Sequence, residues 1–543
     1  MRRTQCVIAC CIALAFANFA HADETSDLKA KLDALQKQME TIKRQLEEVT
    51  DQMQKQKQDQ EQQQQQVTEQ MEKQKEEQQN FVRLKPGDDL TIETKGGGQV
   101  TLYGYFDVSL DYATKGLSNM NIPGCGNPPC TAVGNLGWQW ALSTNQSYLG
   151  VRGKHPLPVV RDNFNFVWQL EGQLDITAAP GTTTTQSNNS NAVKSGLFFR
   201  NSYLGFSDQE FGALKFGKTD APYKTSTARM NPFSGKLGDY AVIMGNTGGD
   251  NRSEFTTRVN HAVWYESPNI KGFTLNALAS PGQNPASDNS DIPVGEPDCA
   301  GGNIPGSGAL PPACNDGSFG SLYSANLAYQ TSLERFGSFY ATVAYELHSE
   351  TNRVSDAQGL GDPNAAQDIG DEYATKFGLQ YFFPTKTTVS GIYERMRRNV
   401  IPALQYQNER SRDGWWLAVT QVLTPKDNIS FGWARAQGTP GDPGQHNTPA
   451  GLAPDNKANM YTGLWNHSFD KFTTWYIDWA LTLNHSAAHY DLGAGGRGLT
   501  YDCHDGSNLA AFDATTGGVT GNGPRCWAGN RVEGISTGVS YKF

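Results

Sequence analysis

The sequence predicts an all-β fold class: a 16-stranded antiparallel transmembrane β-barrel, preceded by an N-terminal α-helical coiled coil. Three observations predict it. Long segments alternate between apolar and polar side chains, and candidate strands are joined by short turns and long loops in alternation. Past the N-terminus, no apolar run reaches the roughly twenty residues that a membrane-spanning helix needs. A chain that crosses a bilayer without such a helix must close its backbone hydrogen bonds as a barrel.

Residues 1–22 read as a secretory signal peptide. Arg2 and Arg3 form a basic start, Val7 to Phe19 is apolar, and Ala20-His21-Ala22 is a small-x-small cleavage site. Cleavage at the lipoprotein-like stretch Val7 to Cys10 would leave a hydrophobic region too short for export. Export without a spanning helix leaves the periplasm, the outer membrane or the medium.

Residues 23–84 read as a periplasmic coiled coil. Leu28, Leu32, Leu35, Met39, Ile42, Leu46, Val49 and Met53 alternate steps of four and three, the a/d seam of a heptad. A lone helix with so narrow a stripe buries too little to offset its ordering entropy, so the coil needs partners. Beyond Met53 the register carries Gln56, Gln60, Gln63, Gln70 and Gln74, and a low-complexity linker is the competing reading of that half. A continuous helix would be about 85 Å long at 1.5 Å per residue. Pro86-Gly87 stops it, residues 85–98 form a linker, and 99–543 form the barrel.

Two strands carry the pattern best. From Gln99, residues Val100, Leu102, Phe106, Val108, Leu110 and Tyr112 face one way, with Thr101, Tyr103, Asp107, Ser109 and Asp111 opposite. Between Phe164 and Ile176, rings and leucines alternate with Asn165, Gln169, Glu171, Gln173 and Asp175, so Glu171 and Asp175 are expected in a water-filled lumen. The last strand repeats the parity through Ile535, Val539, Tyr541 and Phe543. Long connections fall near 113–144, 177–196, 219–253, 280–319, 347–371, 399–412, 437–457 and 484–530. Short turns such as Ser267-Pro268-Asn269 and Pro384-Thr385-Lys386 lie between them. Eight long loops interleaved with seven short turns give sixteen strands and a lumen wide enough for water.

Composition narrows the function. With 18% charged residues and a net charge of -10, the chain lacks the basic surface that nucleic acid requires. Of nine cysteines, Cys6, Cys10 and Cys11 leave with the signal peptide. The rest group locally as Cys125 with Cys130, Cys299 with Cys314, and Cys503 with Cys526. Six cysteines allow fifteen connectivities, and this grouping favours nearest-neighbour disulfides, which suit an oxidising compartment. Zinc ligation lacks CxxC spacing and a histidine partner.

Several pieces in order resemble one family. They are Val100-Thr101-Leu102-Tyr103-Gly104, the segment Ser147-Tyr148-Leu149-Gly150-Val151-Arg152-Gly153, and Arg200-Asn201-Ser202-Tyr203-Leu204-Gly205-Phe206 leading into Phe211-Gly212-Ala213-Leu214-Lys215-Phe216-Gly217-Lys218. Together with the long loop that follows and the terminal Phe543, they resemble the general porins of Gram-negative bacteria, beta-proteobacterial type. The resemblance implies an outer-membrane homotrimer, not an enzyme and without cofactors, that passes small hydrophilic solutes and ions by passive diffusion. Its implied partners are membrane lipid and lipopolysaccharide, and the barrel-assembly machinery that reads the terminal aromatic residue. It also implies that the third long loop, Thr219 to Asn251, folds into the lumen as a constriction.

In the family, basic wall residues face acidic loop residues and create a transverse field. The matching pattern assigns the pore constriction to Arg200 and Arg258 on the wall, with Arg152 substituting for a basic residue expected where Tyr148 stands. The loop supplies Asp239, Asp220, Arg229 and Lys236, although the family's acidic motif is absent as such. That leaves ion preference open, and a channel selective for anions such as carboxylates or phosphate is the alternative. A second alternative makes the coil an envelope spacer touching peptidoglycan.

Other signals have plainer readings. Charges in polar loops are usually just solvated, and the run around Arg395, Arg397 and Arg398 reads as headgroup-level charge. Trp415, Trp416, Trp433, Trp475 and Trp479 read as aromatic belts. The glycine run from Gly493 to Gly498 lacks the βαβ context of a dinucleotide site. His485 and His489 lack the glutamate of a zinc-protease motif, so no metal is expected. A hydrolase reading finds no nucleophile motif.

Overall fold

The computed structural model describes residues 90–93, 97–114, 138–174, 176–177, 200–245, 255–281, 296–297, 318–352, 369–402, 411–441, 455–485, 511–513, 518–520 and 531–543, with a few single positions elsewhere. The segment expected as signal peptide, most of that expected as coil, Asp175 and the six cysteines expected to pair lie outside the described residues. The chain divides into residues 1–70 and 71–543. In the first unit the described positions Lys37, Met39, Glu40 and Lys43 are helical.

The second unit is a closed barrel. Its strands are β1 (Gln99–Thr114), β2 (Trp138–Thr144 continued by Tyr148–Pro156), β3 (Asn165–Gln173), β4 (Ser202–Asp208), β5 (Gly212–Asp220), β6 (Arg258–Glu266), β7 (Phe273–Ser280) and β8 (Ser321–Ser332). The remainder are β9 (Ser338–Asn352), β10 (Ile369–Phe382), β11 (Thr387–Arg398), β12 (Arg412–Val422), β13 (Asp427–Ala436), β14 (Ala458–Ser468), β15 (Thr473–Asn484) and β16 (Arg531–Lys542). Each pairs antiparallel with its neighbour, and β16 pairs with both β15 and β1, which closes the cylinder. The Phe543 and Gly104 backbones exchange two hydrogen bonds of 3.1 Å, so the terminal residue belongs to the closure. Sixteen strands, eight long loops and seven short turns agree with the sequence pattern.

Two boundaries differ from expectation. The first long loop ends at 137, because Trp138, Trp140 and Leu142 form an outward-facing half of β2. The polar break at Asn145 to Ser147 had disguised this half as loop, yet both halves pair along the same edge of β1. Thr91–Glu93, within the expected linker, pairs with Gln99 to Thr101.

The barrel is inside out, as period-2 strands in a bilayer require. Leu204, Leu275, Leu379, Leu417, Phe431 and Ile535 are exposed on the outer wall. Asp107, Glu346, Lys376, Glu394 and Asp478 are buried. Adjacent residues on one strand therefore part company. Trp415 is exposed, whereas Trp416 is fully buried and donates to the Met230 carbonyl at 3.0 Å, which corrects its reading as a belt residue.

What Trp416 meets is the third long loop, called L3 here, which joins β5 to β6. Pro222 opens a helical turn, Pro222–Thr225, where its missing N–H has no partner to lose. Asp239 caps a second turn, Tyr240–Val242, by accepting from the Ala241 N–H. Met230, Phe233, Tyr240, Ile243 and Met244 of L3 then pack on Trp416, Met460 and Tyr476 of the wall. Gly238, at φ +77°, lies so close to Thr462 that a Cβ would strike that side chain.

Candidate functional site

Two groups of charges line the interior. The first joins β2, β3 and β4 to the start of L3. Arg200 Nε lies 2.6 Å from Glu171 Oε1, and the Tyr103 hydroxyl donates to the other Glu171 oxygen at 3.0 Å. The Arg200 guanidinium also sits 4.6 Å above the ring of Tyr148. Asp220 ends β5 and receives Arg258 at 3.2 Å, Lys224 at 2.8 Å and Asn201 at 3.0 Å. Arg258 donates in turn to Asn201 at 2.7 Å. Arg152 lies 4.9 Å above the Tyr103 ring, and among the described residues it forms no ion pair.

The structure thus brings Arg152, Arg200, Arg258, Glu171 and Asp220, all expected at the constriction or in the lumen, into one neighbourhood. Arg152 and Arg200 lie over tyrosine rings, Arg258 is held beside them by Asp220 and Asn201, and two carboxylates are set among the three guanidinium groups. Tyr148, where a basic residue was expected, instead supports the Arg200 guanidinium from below.

The other loop assignments lie elsewhere. Arg229 crosses to the far wall, bonding Gln380 at 2.8 Å and Gln330 at 3.0 Å and covering Tyr340 at 4.4 Å. Lys236 is buried, 3.3 Å from Asp107 and 3.4 Å above the Tyr476 ring. The Asp239 carboxylate is engaged inside L3, by Asn231 at 2.7 Å, Gly235 N–H at 2.9 Å and Ala241 N–H at 3.0 Å. These contacts turn Asp239 towards its own loop. Tyr240 bonds Thr227 at 2.9 Å, and burial pushes its phenol pKa up, so it stays neutral.

The second group of charges was not foreseen. Glu394 on β11 accepts from the Tyr223 hydroxyl at 2.9 Å and the Gly245 N–H at 2.7 Å, so it grips L3 near both ends. Lys376 and Arg412 stand 3.8 and 4.0 Å from the same carboxylate. Arg412 also donates to the Ile243 carbonyl, and Lys376 lies 3.9 Å above the Tyr223 ring. Nearby, Arg398 pairs with Glu372, and Glu346 with His348 at 3.1 Å. A signal existed: Glu394, Met396 and Arg398 share one parity, and all three are buried, whereas Arg395 and Arg397 face outward.

Gly493 itself has a structural use. Gly493 bridges Leu237, and the Gly238 N–H donates to Leu492 at 2.7 Å, which lays part of the eighth long loop on L3. Among the described residues, no group of three or more His, Cys, Asp or Glu side chains is arranged to hold a metal.

A family model described as Gram-negative porin matches residues 89–487. The anion-selective porin from Comamonas acidovorans superposes with a TM-score of 0.50 at 16% identity, covering 82% of this chain and 100% of that one. The outer membrane channel DcaP of Acinetobacter baumannii gives 0.44 at 14%, over 83% of this chain and 99% of that chain. OmpF of Salmonella typhi gives 0.44 at 15%, over 83% and 100%. No curated protein matches the sequence.

Proposed function

The chain belongs to the Gram-negative porin family, and from that premise we propose that it works as a homotrimeric outer-membrane channel, narrowed by L3 and lined by the Arg200 wall. It is an outer-membrane barrel for passive diffusion; the trimer and the constriction are the finer reading. The observation that carries the constriction is L3 itself, fastened across the lumen to Glu394 and Trp416. Small hydrophilic solutes pass between the loop and the wall, selected by size and field, with no chemical step. In planar bilayers the purified protein should give stepwise, non-saturating conductance in multiples of three. Silence from correctly folded trimers would overturn the reading.

One observation favours a preference for anions. Among the described residues, Arg152, Arg200 and Arg258 of the wall and Lys224 of L3 stand against two carboxylates, Glu171 and Asp220, and Arg152 forms no ion pair. Reversal potentials in a salt gradient test this directly, and clear cation preference would refute it. The heptad segment before the barrel is a periplasmic coil that clamps the trimer or touches peptidoglycan. Deleting residues 24–84 should weaken either the trimer or the envelope; if both are unchanged, the coil has neither role.

A further inference from the structure

A third set of charges lies where the barrel closes, apart from both groups described above. Asp107 and Asp111 on β1 and Asp478 on β15 are buried to within 1% of full burial. Asp107 is well satisfied, by Tyr476 at 2.6 Å, Tyr105 at 2.7 Å and Lys236 at 3.3 Å. The other two are not. Asp111 accepts from the hydroxyls of Ser109, at 2.8 Å, and Ser143, and the Ser536 hydroxyl approaches it as well. Asp478 accepts the Leu237 N–H of L3 through one oxygen at 3.2 Å, and its other oxygen, Oδ1, has no partner. Among the described residues, neither Asp111 nor Asp478 forms an ion pair, and Lys236, Asp107 and Asp111 are the charged groups that act on Asp478.

Register brings these two carboxylates to one point. Ser536 on β16 stands directly opposite Asp478 on one side and Asp111 on the other. Its hydroxyl is buried, 2% exposed, approaches the Asp111 carboxylate, and among the described residues has no other partner. A pair of buried carboxylates thus flanks a buried hydroxyl across three neighbouring strands. Leaving an ionised oxygen there without a partner is strongly unfavourable. A cation that prefers oxygen donors would relieve that cost.

We propose that Asp111, Ser536 and Asp478 bind a hard cation, with Ca2+ as its probe, and that the bound ion ties β1, β15 and β16 together beneath L3. The donor set is all oxygen, which suits a hard cation. It does not suit zinc or copper, which would call for imidazole or thiolate. Because the Leu237 N–H is held by the same Asp478, occupancy also steadies the tip of L3.

The test compares full-length wild-type protein with Asp478→Asn and Ser536→Ala, each stripped with EDTA and then titrated with Ca2+ while binding and thermal unfolding are followed. Wild type should bind one more saturable Ca2+ per protomer than Asp478→Asn, and Ca2+ should raise its unfolding temperature. In Asp478→Asn the affinity of that site should fall roughly tenfold or more. Ser536→Ala, which keeps both charges, should weaken binding by less; it decides the matter if Asp478→Asn does not fold. Equal binding by wild type and Ser536→Ala would assign the Ca2+ to the outer surface and overturn the proposal. A wild type indifferent to Ca2+, with a more stable Asp478→Asn, would overturn it too, by making the buried carboxylate a proton carrier.

Discussion

The Arg200 wall and the Glu394 cluster are made from the same parts: arginine, lysine, carboxylate and tyrosine, with guanidinium or ammonium over a phenol ring. In the first, the Arg200 and Glu171 side chains keep 15% and 7% of their surface, and Lys224 and Asp220 keep 32% and 17%. In the second, Lys376, Arg412 and Glu394 keep none. The difference teaches what burial does to a charge. Beside water, an ion pair contributes little to stability but can act on a passing solute; without water, it acts only on the chain that covers it.

Substitutions can break that comparison. Glu394→Ala should have the largest effect, because it strands two buried cations and frees Tyr223 and Gly245 together. About 3–5 kcal/mol of stability should be lost, and single-channel current should grow larger and noisier as L3 comes away. Trp416→Phe keeps the ring but orphans the Met230 carbonyl, at a cost of about 1–3 kcal/mol in thermal unfolding with a milder rise in current noise. Arg152→Gln probes the wet side. Its unfolding temperature should move less than that of Trp416→Phe, while the reversal potential shifts away from anions. Should Arg152→Gln destabilise as strongly as Glu394→Ala, burial is not what separates the two groups. Smallest of all is Arg161→Ala, at the turn after β2, where an exposed guanidinium pairs with Glu210 and approaches Asp208 at 3.7 Å. No change in conductance or unfolding should be measurable, as expected for an exposed pair.

Legibility followed the range of the forces involved. Glu171 was readable as a lumen group because its neighbours on β3 alternate, and a strand puts every second residue on one face. Arg200 and Arg258 were readable only through the family resemblance, since nothing local marks an arginine at a strand end. Asp239 misled as a pore acid because an acid before a short turn is also a cap. Glu394 was lost within a run of charge, although parity along β11 separates it from Arg395. Trp416 was lost beside Trp415 for the same reason.

By itself the sequence determined which residues of its best-patterned strands meet lipid and which meet the lumen, how many strands there are, and on which side the long loops fall. All of these follow from period two and the spacing of turns, which are local. Only the tertiary structure decided which inward charges touch water and which are sealed. That depends on where L3 comes to rest, and the bond from Tyr223 to Glu394 that fixes it spans 171 residues of chain. A contact so distant leaves no periodicity to read, because its energy comes from two surfaces that meet only after the barrel has closed.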